Sequence, residues 1–287
     1  TRVRILRTLA EAEDPMAFSE LRRAVGVEDA GRFNYHLSKL APHFVRQSDD
    51  GYRLSGAGKQ IARTVIAISG TDDLDFSADI EQPCPLCDAP MTASYEDQWL
   101  RVSCTECDGQ FGDETPHGSI FLSSYPAAAL TERTADEALT IGFYRCMLDN
   151  AYFMHGICRE CAGSISASVS VCSQHESRAG DLCSQCGTRS EVWATQRCDT
   201  CGFAKRLPVG VFVMGLTPVI GFLNEQGIDV LAPSLEEIVD LLSDSVETDV
   251  SDNPFRVNIT IRGETRGLQV SLDDELNVVT LDQGAFI

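Results

Sequence analysis

Lysine is nearly missing from this chain: Lys39, Lys59 and Lys205 are the only three among 23 basic residues, which face 43 acidic ones. With a formal net charge of −20, the whole chain cannot hold a polyanion or an anionic membrane by charge alone. Cysteine is absent from residues 1–83, although the chain carries 12 further on. That excludes a thiolate metal site in the first quarter. No apolar run is long enough to cross a bilayer, which takes roughly 20 residues. The uncharged stretch Leu207–Leu223 is shorter than that, and Pro208, Gly210, Gly215, Pro218 and Gly221 interrupt it. It reads as a buried strand followed by a core helix. No Gly-rich phosphate loop, nucleophile elbow or other catalytic constellation is found, so no enzymatic activity is expected. No secretory leader is seen either: Thr1-Arg2-Val3-Arg4 already lies in a helical pattern, and a cytoplasmic location is expected.

The charge that is present is unevenly placed. Residues 1–65 hold 11 Lys and Arg against 8 Asp and Glu, a net of +3, whereas the other 222 residues hold 12 against 35, a net of −23. This asymmetry points to a DNA-facing head on an acidic, solvating body. Few lysines, abundant carboxylates and a low isoelectric point are also the composition of a halophile's protein, kept soluble by its acidic surface. Salt weakens phosphate contacts through counterion release, so such a DNA binder must lean on base contacts and shape.

The head has a legible order. Val3, Ile5, Leu6 and Leu9 form a helical stripe, broken by Asp14-Pro15-Met16-Ala17. Ser19 is expected to cap a second helix with Leu21, Ala24 and Val25 facing inward, and Gly26 to make the turn. Asp29 is expected to cap a third helix from Ala30 to Leu40, burying Ala30, Phe33, Leu37 and Leu40 and exposing Arg32, Asn34, Tyr35, His36, Ser38 and Lys39. Phe44–Gln47 and Tyr52–Leu54 flank Asp49-Asp50-Gly51, a hairpin pattern, and Ser55 starts a helix with Ile61, Val65 and Ile68 as its stripe.

This order is that of a winged helix-turn-helix, and at these residues the chain resembles the ArsR-like regulators in the form common in halophilic archaea. Gly31-Arg32-Phe33-Asn34-Tyr35-His36-Leu37-Ser38-Lys39-Leu40 is similar to that family's recognition helix, and Asp50-Gly51-Tyr52-Arg53-Leu54-Ser55 to its wing tip and return. The resemblance implies binding of double-stranded DNA. Asn34 would pair with adenine and Arg32 with guanine or phosphate. Lys39, Arg46 and Arg53 would contact the phosphate backbone. Tyr35 and His36 are either reading or packing residues. The family dimerises through helices flanking the core, so Ile61, Val65 and Ile68 are expected to supply a homodimer surface. Its metal-sensing members carry thiols in the helix-turn-helix; this chain has none there, which argues against metal-triggered release through that domain.

The cysteines of the body come almost entirely in C-x-x-C pairs, which in a cytosolic chain read as metal sites before disulfides. Cys84-x-x-Cys87 and Cys104-x-x-Cys107 are separated by sixteen residues that read as strand, turn, strand. Two thiolate pairs brought together by a hairpin make a zinc ribbon. Further on come Cys158-x-x-Cys161, Cys172-x-x-His175, Cys183-x-x-Cys186 and Cys198-x-x-Cys201, eight ligands for two more ions. Pairing can be sequential or nested. Ser164–Val171 is one unbroken alternating strand and Glu191–Arg197 a returning one, which favours nesting: 158/161 with 198/201 at one end, 172/175 with 183/186 at the other. His155 is an alternative ligand, and Cys146, beside Phe143 and Met147, reads as a buried apolar residue. Three zinc ions, all structural, are expected.

The organisation expected is α+β: a winged helix-turn-helix over 1–70, an acidic linker over 71–82, a zinc ribbon over 83–125, a helix (from Thr131 to Tyr152) plus the two-zinc region over 126–207, and helices with a four-stranded antiparallel sheet over 208–287. In the last part, Val219–Gln226 and Leu235–Leu242 read as helices, the latter capped by Ser234. Strands are read at Val246–Val250, Phe255–Ile261, Leu268–Leu272 and Leu276–Leu281. Bodies of this kind resemble the regions that follow the winged helix in haloarchaeal regulators, which names an architecture and leaves the activity open. The function expected is sequence-specific transcription regulation; the alternative is a zinc-ribbon adaptor that binds transcription machinery.

Overall fold

A computed structural model describes residues 1–68, 76–111, 115–124, 126–176, 182–235, 237, 246–263 and 265–285. Among these residues the fold is α+β, with seven α-helices and four antiparallel sheets. The chain divides into two compact units, Thr1–Leu74 with Pro126–Thr131, and Asp75–Tyr125 with Glu132–Ile287.

The first unit runs α1 (Arg2–Glu11), α2 (Phe18–Val25), α3 (Ala30–Leu40), β1 (Val45–Ser48), β2 (Gly51–Leu54) and α4 (Gly56–Ile68). Its core is Ile5, Leu6, Leu9, Leu21, Val25, Phe33, Leu37, Leu40, Val45, Leu54 and Ala62. Three residues assigned to that core from sequence lie outside it. Val3 sits about 110° round the helix from the centre of the Ile5–Leu6–Leu9 face and is exposed. Ala24 and Ala30 are exposed as well, with too little side chain to be drawn inward. Asp29 caps α3 as expected, accepting from the Arg32 amide. Ser19 does not cap α2, which starts at Phe18 without a side-chain cap. Packing sets that start: the Phe18 ring lies edge-on to Phe33 at 5.2 Å and 6.4 Å from Tyr52, tying α2 to α3 and β2. Gly26 ends α2 in the left-handed region at φ 70° and donates to the Arg22 and Arg23 carbonyls.

The β1–β2 hairpin turns through Asp49 and Asp50, with Ser48 opposite Gly51. Gly51 is required by its neighbour as much as by the turn. Tyr52 exchanges backbone hydrogen bonds with Met16, so a Cβ at Gly51 would meet the Met16 carbonyl oxygen at 2.6 Å. Ser55 links hairpin and helix: its hydroxyl donates to the His43 carbonyl at 2.6 Å and accepts from the Gly58 amide at 3.0 Å, capping α4. Gly58 lies so close to backbone that a Cβ there would collide with the Phe44 carbonyl oxygen, whereas a Cβ at Gly56 would meet nothing.

In the second unit, β3 (Phe76–Ile80), β4 (Met91–Glu96), β5 (Trp99–Cys104) and β6 (Ser119–Ser124) form one antiparallel meander. Strand β3 occupies the stretch expected to be an acidic linker; it pairs with β4 along its whole length, from Phe76 opposite Tyr95 to Ile80 opposite Met91. Residues 71–75 of that stretch lie outside the described residues. The β4–β5 turn is made by Asp97 and Gln98, both at positive φ, which matches the twist of a two-residue hairpin loop. The helix α5 (Ala135–Met154) begins at Thr134 with a reciprocal capping box to Glu137. Next come β7 (Ile165–Val171), β8 (Val192–Cys198) and β9 (Ala204–Pro208) in a second meander. The uncharged stretch becomes β9, α6 (Val209–Val213) and α7 (Thr217–Glu225). No described helix is long and apolar enough to cross a membrane.

The strands β10 (Val246–Asp252), β11 (Phe255–Arg262), β12 (Arg266–Leu272) and β13 (Val278–Ala285) make the four-stranded antiparallel sheet read from sequence. Its inner face, Val257, Ile259, Ile261, Leu268, Val270 and Leu272, shares a core with α6, α7 and β8. All five residues of α6 are buried, so its last carbonyls need internal partners beyond the Met214 and Gly215 amides that reach Val211 and Phe212. Asn150 of α5 supplies two, its Nδ2 donating to the carbonyls of Val211 at 3.0 Å and Phe212 at 2.9 Å. The Leu235–Leu242 helix lies mostly outside the described residues, but its start is visible: Ser234 and Glu237 exchange side-chain and backbone hydrogen bonds.

The two glycines of α4 give opposite expectations. Gly58→Ala should destabilise the first unit by roughly 1–3 kcal/mol through overpacking. Gly56→Ala should leave it unchanged or raise stability by a few tenths to about 1 kcal/mol. Urea unfolding of both variants checks this; equal effects would mean that α4 is not seated on the Phe44 backbone.

Candidate metal centres and the exposed face of α3

Three sets of four side chains converge, with the donor atoms of each set within 4.8 Å of one another: Cys84, Cys87, Cys104 and Cys107; Cys158, Cys161, Cys198 and Cys201; Cys172, His175, Cys183 and Cys186. The first is built by the β4–β5 hairpin. Met91 faces Cys104 across the ladder, so the turn before β4 and the turn after β5 meet at one end. The other two lie at opposite ends of the β7–β8 pair. Ile165 faces Cys198 at one end, Val171 faces Val192 at the other, and the Cys172 amide donates to Glu191. At about 3.4 Å per residue, a seven-residue strand separates them by roughly 20 Å. The nested sets are thus the ones brought together, and the strand that favoured nesting is the reason. His155 caps the end of α5 and joins no set.

The spacing fits a tetrahedral dication. Zinc–sulfur bonds of about 2.3 Å put neighbouring sulfurs about 3.8 Å apart. The Sγ–Sγ distances are 3.8 Å for Cys84–Cys107, 3.5 Å for Cys87–Cys104, 3.7 Å for Cys158–Cys201 and 3.5 Å for Cys161–Cys198. All the cysteines are free thiols. In the third set, the His175 Nε2–H donates to the Arg189 carbonyl at 3.2 Å, which leaves Nδ1, 3.4 Å from the Cys186 sulfur, to offer its lone pair.

Backbone amides prepare one thiolate in each set. Burial pushes the Cys104 thiol up, but amides of Cys107 and Glu106, both 3.4 Å from its sulfur, outweigh that and bring it down to about 7. Cys198 is lowered to about 6, led by the Cys201 amide. Cys183 is also lowered to about 6, led by the Cys186 amide. Their neighbours move the other way. Burial pushes Cys84 up, and burial drives Cys107 to about 11. At Cys161 the Gly163 amide lowers the thiol, but crowding by Cys198 and desolvation outweigh it and carry it to about 12. Four thiolates this close repel one another, and a divalent cation relieves the repulsion.

The face of α3 read from sequence is present. Arg32, Asn34, Tyr35, Ser38 and Lys39 are exposed. Lys39 Nζ lies 5.7 Å from the Tyr35 ring centroid. His36 is half-buried; desolvation, then the positive charges of Arg2 and other nearby cations, lower its pKa. Arg46 and Arg53 are exposed Cα partners on the hairpin. Neither they nor Arg32 and Lys39 form a salt bridge among the described residues. Cys146 packs against the core as the apolar reading expected, but only in part. It is half-buried, and Lys205 Nζ sits 2.8 Å from its carbonyl oxygen and 3.3 Å from its sulfur. Lys205 escaped the sequence reading, although being the only lysine after residue 59 marked it out.

A family model described as Domain of unknown function (DUF7351) matches residues 81–278, more than half of the chain, and the chain belongs to that family. A second, Domain of unknown function (DUF7347), matches residues 1–65. No curated protein and no solved structure matches.

Metal loading should follow the protons. At pH 7 an ion entering the first set displaces those held by Cys84 and Cys107, so affinity rises with pH and falls on acidification. Calorimetry in buffers of different ionisation enthalpy should show at least two protons released there. Metal analysis of the intact chain should find three equivalents, one per set, falling to two in Cys87→Ser with Cys107→Ser and staying at three in Cys146→Ser. A loss in Cys146→Ser would show that the sets are wrongly drawn.

Proposed function

We propose that this protein is a sequence-specific DNA-binding transcription regulator, probing DNA with a winged helix-turn-helix in its first unit and carrying three structural zinc ions in its second. The observation that carries the reading is the paired placement of Arg46 and Arg53 on the hairpin. Like charges directly opposite each other in a ladder are unfavourable. Two exposed arginines face each other on a short strand pair with no carboxylate partner among the described residues. A phosphate between them removes the conflict. Arg32 and Asn34, in the N-terminal half of α3, have the chemistry to read guanine and adenine edges. The net of +3 on residues 1–65 of a chain with net −20 supports the same end as the DNA-facing one.

Zinc is the ion that suits thiolate-rich tetrahedral sets, and four protein donors leave no open position for a substrate or a reactive water. A structural role for the metals follows from that filled shell. The regulator is read as a homodimer. Besides Tyr35, the exposed large apolar side chains among the described residues of the first unit are Val3 on α1 and Ile61 and Ile66 on α4, two helices packed together. The adaptor reading draws on the −23 of the remaining residues, which repels DNA and would suit a basic protein surface in transcription machinery.

Binding of the intact protein to genomic fragments in concentrated potassium chloride decides between them. Selective binding is expected, and Arg32→Ala with Asn34→Ala should lower it by at least about tenfold. No selective binding by folded, zinc-loaded protein would leave the adaptor. Ile61→Glu with Ile66→Glu should give a monomer by light scattering; an unchanged mass would remove α4 from the dimer interface.

A further inference from the structure

The second unit holds a cavity of about 330 Å³ that neither the metals nor the DNA reading uses. It lies at the low end of the range of small-molecule sites, roughly 300–1,000 Å³. Four aromatic side chains line it: Trp99, Phe111, Trp193 and Phe203. Trp193 is anchored by its polar edge, the indole N–H donating to the Ser190 carbonyl at 3.0 Å, and its ring lies 6.1 Å from Phe111. Hydrogen bonding fixes the indole in place, so the wall is formed in advance.

Lys205 reaches the same cavity. It is the only lysine in residues 60–287, in a stretch dominated by carboxylates. It is half-buried, and no carboxylate pairs with it among the described residues. Its ammonium is held instead by the carbonyl and sulfur of Cys146. An ammonium has three donors, and a half-buried charge without a counter-ion is costly. Asp149 also lines the cavity, but Arg159 holds its carboxylate at 2.7 Å.

We infer that this cavity binds a small aromatic carboxylate, its ring among the aromatic walls and its carboxylate on Lys205. The size admits one or two rings. Arg206 also lines the cavity, but its guanidinium lies over the Trp193 ring, 4.6 Å from the centroid. Lys205 is thus the cation held only by Cys146, and one ammonium matches a monoanion better than a phosphate dianion. The cavity shares its wall with a metal set. Cys186 lines it, and Thr188 Oγ1 is 3.3 Å from both the Cys186 sulfur and the Trp193 indole nitrogen. This site lies within the second unit, and it stands or falls independently of DNA binding.

Trp99 and Trp193 are the chain's only two tryptophans, and both line the cavity, so intrinsic fluorescence of the intact zinc-loaded protein reports on occupancy directly. Phenylacetate and its neutral isostere phenylacetamide are the probes, titrated at constant potassium chloride. Phenylacetate should give a saturable change, with the amide at least about tenfold weaker. Lys205→Met should weaken the acid by about tenfold while leaving circular dichroism and zinc content intact. The acid–amide comparison on the unmodified chain holds even if that variant fails to fold. No saturable change with the acid at millimolar concentration overturns the site. Equal binding of acid and amide, or of the acid to a folded Lys205→Met, overturns the role of the lysine and with it the ligand class.

Discussion

Four thiols, or three and an imidazole, held within 4.8 Å of one another set the terms for the second unit. As thiolates they repel; as thiols they bury poor hydrogen-bond groups at strand ends. The backbone resolves part of this by aiming amides at Cys104, Cys183 and Cys198, and a bound dication would resolve the rest. The turns that supply those amides are also the turns that end the strands. Strand pairing and ligand geometry therefore specify each other: a slip of one residue along β7–β8 would turn every side chain over and pull both of its clusters apart.

The same constraint explains why such thin sheets persist. Along β7 no residue is fully buried, and its serines alternate with half-buried alanine, valine and isoleucine. Burial of that strand alone supplies little stabilisation, so the clusters at its two ends take the part that a thicker core plays elsewhere. Where a true core exists, around α6, α7 and the β10–β13 sheet, no cysteine set is present among the described residues. The core side has its own polar requirement, which Asn150 meets by donating to the carbonyls of the fully buried α6.

Much of this was legible in the sequence because its signals are local. C-x-x-C spacing, the unbroken alternation of Ser164–Val171 and the capping residues Asp29 and Ser234 all state their structure within a few residues. The failures are of a different kind. Strand β3 alternates Phe76, Ala78 and Ile80 with Ser77 and Asp79, but the run is short and follows a cluster of acidic residues, so it reads as linker and only its pairing with β4 marks it as a strand. Ser19 looked like a cap, but the contact of Phe18 with Phe33 fixed where α2 begins. Cys146 does pack against the core, but the lysine that also holds it is 59 residues away in the chain. The cavity was invisible for the same reason, since its walls come from β5, β6, α5, β9 and the turn at Thr188.

On the proposed reading, the acidic composition and the paired arginines are one problem seen twice. In about 1 M salt the Debye length falls to about 3 Å, so the repulsion between an acidic body and DNA is screened beyond contact distance. The same screening strips most of the attraction from an arginine that only approaches a phosphate. What survives is the contact made at hydrogen-bond range in fixed geometry. Arginine suits that demand better than lysine, because its planar fork makes two directed bonds to one phosphate and is more weakly hydrated. The exposed rung Arg46–Arg53, set on a hairpin whose register is pinned by Gly51 against Met16, holds the backbones that carry two such forks directly opposite each other. A chain with twenty arginines and three lysines has kept the cation whose contacts depend least on long-range attraction.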